Sequence, residues 1–318
     1  MFFRRLVTVS IIVVLAGFVT GIFLDYRYKK RWGWLFFDKI DEALKGKTNY
    51  DIILLGNSRV HTGLNPYYVD SLTKMNSYNL AIGSGDEEEM KLLSTLYLGS
   101  HLPPKFVVIG LDNSMLVKYN ILKERFAYLF YLQNDTVSAA MQKKGFPTSF
   151  IRLLPFIKYS FFDEYNRTSL FVGNGQIKKL FKHNYYKGFV NIFDDDNISS
   201  ITADTLQKTN TPFNTLPSSE KINDTAANTF RHTVKMFLSE GTRVIFLNLP
   251  ERKKTITTFS SPDDSFYLNL SKELNIPIIR ADTSSLFTDK YFVGGNHLNE
   301  PGSELLSLLV ANFIKDLK

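Results

Sequence analysis

The sequence predicts an α/β fold in which a mainly parallel sheet carries helices on both faces, with one N-terminal transmembrane helix attached. Three observations predict it. Residues 6–24 are uncharged and apolar, long enough at the helical rise to cross about 30 Å of hydrocarbon. Short apolar runs recur through the rest of the chain, each bounded by turn residues. Segments with apolar residues at helical spacing alternate with those runs, and such alternation requires crossovers between parallel strands.

The N-terminal run is read as an uncleaved anchor occupying residues 1–31 with its flanks. A signal peptide would have a shorter apolar region and small residues before the cut, and Val19 and Gly21 match that poorly. Arg4 and Arg5 precede the span, whereas Arg27, Lys29, Lys30 and Arg31 come after it; by that count alone the body would be cytoplasmic. Trp32, Trp34, Phe36 and Phe37 come next, suited either to the membrane interface or to ordinary packing.

Residues 32–318 are expected to form one domain with an insertion. DIILL, SYNLAI and KFVVIGLD read as three buried strands, and DEEEMKLLSTLYLGSHL between the last two as a helix with an acidic first turn. The same grammar resumes late in the chain. SSEKINDTAANTFRHTVKMFLSEG reads as a helix closed by Gly241, TRVIFLNLP as a strand, SFYLNLSKELN as a helix, IPIIRA as a strand and SELLSLLVANFIKDLK as a terminal helix. Residues 120–217 lack that alternation; this aromatic-rich stretch is expected to form a helical insertion serving as a lid or partner surface.

Composition narrows the function classes. With 27 Phe and 16 Tyr the chain is that of a folded protein. Its net charge of +7 is scattered and accompanies no nucleic-acid motif, so anionic lipid or glycan is a better partner than nucleic acid. Without cysteine there is neither a disulfide framework nor a thiolate nucleophile.

Two stretches carry candidate chemistry. DIILLGNSRVHTGLNP places Ser58 just beyond the first strand, where a nucleophile would sit and where a helix-capping turn residue would sit equally well. YFVGGNHLNEPGSELLS places His297 in a Gly-rich loop before the last helix.

Read with NLAIGSGD and VVIGLDNS, these blocks resemble the SGNH/GDSL hydrolase superfamily. Within it they resemble the membrane-anchored branch that includes the D-alanyl-transfer protein of teichoic-acid modification and the alginate O-acetylation proteins. The resemblance implies a three-layer, flavodoxin-like fold. It implies Ser58 as nucleophile, His297 as general base, and an oxyanion hole from Ser58 N–H, Gly83 N–H and Asn113.

There are two departures from the family pattern. Where the family has Gly-x-Asn-Asp, Asp112 here precedes Asn113, and an ionised Asp112 would repel an oxyanion. Asn113 would then act through a shifted loop, or the hole would rely on backbone alone; the pair would equally serve to cap the next helix. The family's aspartate three residues before the histidine is replaced by Gly294, leaving Asp112, Asp289 or a backbone carbonyl to orient the imidazole.

Other conspicuous residues have plain readings. Asp86, Glu87, Glu88 and Glu89 suit a helix start, Asp194, Asp195 and Asp196 a solvated loop, and His101, His183 and His232 lack ligand partners at recognisable spacing. No cofactor and no metal is expected.

The resemblance implies a single-pass membrane protein with an extracytoplasmic catalytic domain, an acyl-esterase or O-acyl(acetyl)transferase acting on a cell-envelope polysaccharide. A transferase would need a polytopic membrane acyltransferase to supply the acyl group. The alternative is a catalytically degenerate SGNH fold serving in glycan binding or envelope assembly.

Overall fold

The computed structural model describes residues 1–32, 36–83, 85–116, 122, 124–171, 186–191, 222–252, 265–293 and 295–317. By its internal contacts the chain divides into two compact units, one of residues 1–37 and 124–176 and the other of residues 38–123 and 177–318.

The second unit is α/β, with a five-stranded parallel sheet flanked by helices. Its strands are β1 (Ile52–Leu55), β2 (Ser77–Asn79), β3 (Phe106–Leu111), β4 (Arg243–Asn248) and β5 (Ile278–Arg280), in the spatial order β2-β1-β3-β4-β5. The central strands are buried on both faces, which is why they read as unbroken apolar runs. Ile52, Leu54, Phe106, Val108, Ile245 and Leu247 point to one face and form a core with Leu306, Val310 and Ile314.

That face is covered by α3 (Ser58–Gly63), α4 (Pro66–Thr73) and the C-terminal helix Glu300–Asp316. On the other side lie α2 (Asp38–Lys45), α5 (Glu87–Leu98) and the helix Asp224–Ser239, whose Phe230 packs on Phe246 of β4. Side-chain caps start the long helices: Asp86 accepts from Glu88 N and Glu89 N, Asn223 from Thr225 N and Ala226 N, and Asn299 from Gly302 N. The acidic run after Asp86 is thus a helix first turn.

This strand order is doubly wound, and the direction of winding reverses between β1 and β3. In sheets wound this way the usual ligand position lies beyond the carboxyl ends of those two strands.

The first unit is built on α1 (Phe2–Trp32), long and apolar enough to cross a membrane. It also contains α6 (Arg125–Tyr128), α7 (Asp135–Lys143), α8 (Thr148–Leu153), a 3-10 turn Pro155–Phe161 and α9 (Glu164–Phe171). Trp32, Phe36 and Phe37 are buried, with Tyr28 and Phe130 stacked 5.5 Å apart beside Phe37. Packing therefore accounts for these aromatics, while Trp34 lies outside the described residues. Of the stretch 120–217, residues 124–171 are short helices and turns, and Asp194, Asp195, Asp196 and His183 lie outside the described residues.

Candidate active site

The chain enters the site through β1, and Gly56 (φ +150°) turns it out of the sheet. Asn57 caps α3, its Oδ1 accepting from Arg59 N at 3.0 Å, while the Val60 and His61 amides bond to the Asn57 carbonyl. Ser58 is the first residue of α3, so its amide belongs to the helix end that has no intrahelical acceptor.

Val60 locks this corner. A Cβ added at Gly56 would lie 2.5 Å from Val60 Cγ2, and one at Gly110 in β3 only 2.2 Å from it. Glycine at both positions lets α3 settle against the sheet with Ser58 at the carboxyl end of β1.

His297 arrives from the far end of the chain. It sits in β7 (His297–Leu298), which pairs antiparallel with β6 (Phe292–Val293), so that Val293 is opposite His297. Asn299 fixes the chain between this hairpin and the C-terminal helix: its Nδ2 donates to Lys290 O at 2.7 Å and its N to Tyr291 O at 3.0 Å. Gly302 is equally constrained, because a Cβ there would meet Tyr291 O at 2.5 Å. The outcome is His297 Nε2 at 3.0 Å from Ser58 Oγ, a hydrogen bond between nucleophile-type and base-type groups.

Gly83 and Asn113 come after β2 and β3, the two neighbours of β1. A Cβ at Gly83 would lie 3.8 Å from His61 Nδ1, and Asn113 opens a 3-10 turn capped by Asp112. The loops bearing Ser58, Gly83 and Asn113 therefore leave adjacent strands on the same edge of the sheet.

The Asp112 carboxylate accepts from Asn57 Nδ2 at 2.8 Å, from Arg59 at 3.3 Å and from Ser114 N at 3.0 Å. Burial raises its pKa, but the Arg59 charge and the hydrogen bonds from Ser114 and Asn57 outweigh burial and hold it below the usual carboxylate range. Arg59 also donates to Pro250 O at 2.8 Å, tying the carboxyl ends of β1, β3 and β4 together. Asp289 begins the 3-10 turn before β6, its Oδ1 3.9 Å from Arg252 Nε. Gly294 lies outside the described residues.

Several site residues carry no signature in the sequence. Lys39 of α2 is fully buried, and its Nζ donates to Asn79 O at 3.1 Å and to Ala81 O, the backbone leading to Gly83. Asn79, also fully buried, donates to Val60 O at 2.9 Å and to Leu64 O at 2.8 Å and accepts from Ala81 N, joining the end of β2 to α3. His61 is buried beneath Ser58; burial first, then the charges of Lys39 and His297, push its pKa well below the ordinary imidazole value. Burial likewise lowers Lys39 far below the ordinary lysine range. Among the described residues no group of three or more His, Asp or Glu is arranged to hold a metal ion.

No protein-family model matches the sequence, and no curated protein does. Among solved structures the chain is similar to a candidate acylhydrolase from Bacteroides fragilis NCTC 9343, with 13% identity over 91% of this chain and 96% of that one and a TM-score of 0.41. It is also similar to a protein from Streptococcus pneumonia described as a candidate platelet activating factor, with 10% identity over 93% and 98% of the two chains and a TM-score of 0.44.

Proposed function

We propose that this protein is a membrane-anchored serine acyl-transfer enzyme, an esterase or O-acyltransferase working on acyl esters of a cell-envelope glycan outside the cytoplasm. One observation carries the chemistry: His297 Nε2 lies 3.0 Å from Ser58 Oγ at the carboxyl edge of a parallel sheet.

In the forward step Ser58 Oγ bonds to the acyl carbonyl carbon as its proton passes to His297 Nε2, and the carbonyl electron pair moves onto oxygen. The amides of Ser58 and Gly83, with Asn113, would receive that oxyanion; their origin on adjacent strands supports the assignment. Collapse expels the alcohol oxygen, which takes the proton back from Nε2 and leaves an acyl-serine. Water or a glycan hydroxyl then attacks in the reverse sense, giving hydrolysis or transfer.

The apolar α1 supports the tether, and the resemblance of the four sequence blocks supports the glycan and the outer side of the membrane. For transfer, a polytopic membrane acyltransferase would load Ser58 from the cytoplasmic acyl pool.

The test is fluorophosphonate labelling of the detergent-solubilised full chain. Wild type should label, Ser58→Ala should not, and His297→Ala should label more slowly by about 10³-fold or more, as when a triad member is removed. A wild type folded by circular dichroism yet unlabelled overturns the enzyme and leaves a binding protein built on the same fold.

A further inference from the structure

α1 is buried along one face only, and only in its second half. Gly21, Tyr28 and Trp32 are buried, with Gly17, Leu24 and Asp25 partly covered, at helical spacing. The 3-10 turn Pro155–Phe161 of the same unit covers this face at Gly17 and Gly21, while Phe37, Phe130 and Phe162 cover Tyr28. A Cβ at Gly17 would lie 2.8 Å from Phe156 Cζ, one at Gly21 would lie 2.9 Å from Phe156 Cβ, and Phe18 meets the same ring edge-on at 5.5 Å.

These contacts set a depth. The uncharged run ends at Leu24, and Gly17 lies seven residues earlier, so Phe156 reaches roughly 10 Å inside that end of the apolar run. Polar pairing begins where the run ends. Lys158 Nζ lies 2.7 Å from Asp25 Oδ1, Tyr159 OH donates to the same oxygen, and Tyr28 OH donates to Asn166 Oδ1. From Phe156 to Asn166 the segment therefore rises beside α1, apolar against apolar and charged against charged.

Just before this turn, α8 presents Phe150 and Leu153 three residues apart on one helix face, 51% and 71% exposed. Apart from α1 and Met1 just before it, Leu153 is the most exposed large apolar side chain among the described residues. Arg152 between them ion-pairs with Asp135 at 3.3 Å, a long basic side chain able to keep its charge at the headgroups while its stem lies in apolar surroundings.

We propose that residues 148–156 are a membrane-inserted element: α8 lies in the lipid bilayer beside α1, with Phe150 and Leu153 in the hydrocarbon and Phe156 clamped on Gly17 and Gly21. A lipid surface is the occupant because the element is continuous with the lipid-facing wall of α1, and because Asp25 meets its counter-charge at the level where the apolar run stops. The inference rests on α1 crossing the membrane.

The chain has no cysteine, so single-cysteine labelling needs no background removal. Phe150→Cys, Leu153→Cys, Val13→Cys in α1 and Lys235→Cys on the α/β unit are each labelled with an environment-sensitive nitrobenzoxadiazole probe. The full-length protein is then reconstituted into vesicles of phosphatidylcholine and phosphatidylglycerol containing spin-labelled lipid. Positions 150 and 153 should show the blue-shifted emission and lipid quenching of position 13, with position 235 unquenched. Water-like emission at either 150 or 153, with position 13 still quenched, overturns the inserted element and leaves the anchor standing. Blue-shifted but unquenched emission there means protein covers the face and also overturns it. If position 13 is itself in water, the anchor fails and this inference falls with it.

Discussion

Lys39 Nζ donates to the backbone carbonyl of Ala81, two residues before Gly83, from a position with no exposure to solvent. A buried ammonium is costly unless hydrogen-bonded, and here its acceptors are the carbonyls of Asn79 and Ala81. The group therefore acts as a tether between α2 and the backbone beyond β2. It also lies close enough to His61 to help keep that imidazole neutral.

Lys39→Met should release this backbone while leaving the Ser58–His297 hydrogen bond in place. Misplacement of an oxyanion donor by about 1 Å costs roughly 10²-fold in rate. The maximal rate of fluorophosphonate labelling should fall by about that factor, with little change in the probe concentration giving half that rate. A pH series separates this from simple damage. The folded pKa of Lys39 is lowered below its unfolded value, so the unfolded chain binds more protons and stability rises with pH between the two values. Wild-type stability should therefore rise with pH on the acid side of the ordinary lysine value of about 10.4, a rise absent in Lys39→Met when both are unfolded by urea.

Asp112 gives the opposite test at acid pH. Its folded pKa is depressed, so its contribution is present above the unfolded value near about 4 and is lost as pH falls through the folded value. Asp112→Asn should flatten that loss as pH falls below the unfolded value. Asp112→Ala leaves the mostly buried Arg59 without its closest carboxylate and should cost about 3 kcal/mol at neutral pH. Urea titrations of the full chain in detergent measure both.

The strands were legible because burial on both faces writes continuous apolar runs, and helices such as Glu87–Leu98 because their acidic first turns and periodicity are local. β2 is shorter than SYNLAI suggests: Asn79 turns its side chain into bonds with α3, and the chain leaves the ladder there. The hairpin β6–β7 has no signature in the sequence, since two-residue strands carry no alternation to read. At the site, the chain order of Ser58 and His297 was visible, whereas nothing local distinguishes buried Lys39 from a solvated lysine on an amphipathic helix. The bonds from Asn57 and Arg59 to Asp112 join residues more than fifty positions apart and exist only once β1 and β3 are neighbours.

Gly110 is the position where packing and chemistry can be separated most cleanly. A methyl group there would lie 2.2 Å from Val60 Cγ2, against a β-branched side chain with little freedom to swing aside. Gly110→Ala should therefore cost roughly 1–3 kcal/mol by overpacking. Val60→Ala alone opens a small cavity and should also destabilise the protein. Combined, the two should not add, because the alanine methyl at 110 enters the space that Val60 vacates. Val60 stands two residues past Ser58 on α3, so a displaced Val60 tilts the helix that aims the hydroxyl at His297. Labelling should accordingly be slowed in Gly110→Ala and partly restored in the double variant. Full additivity in urea unfolding, with no recovery of labelling, would mean that this contact does not position Ser58.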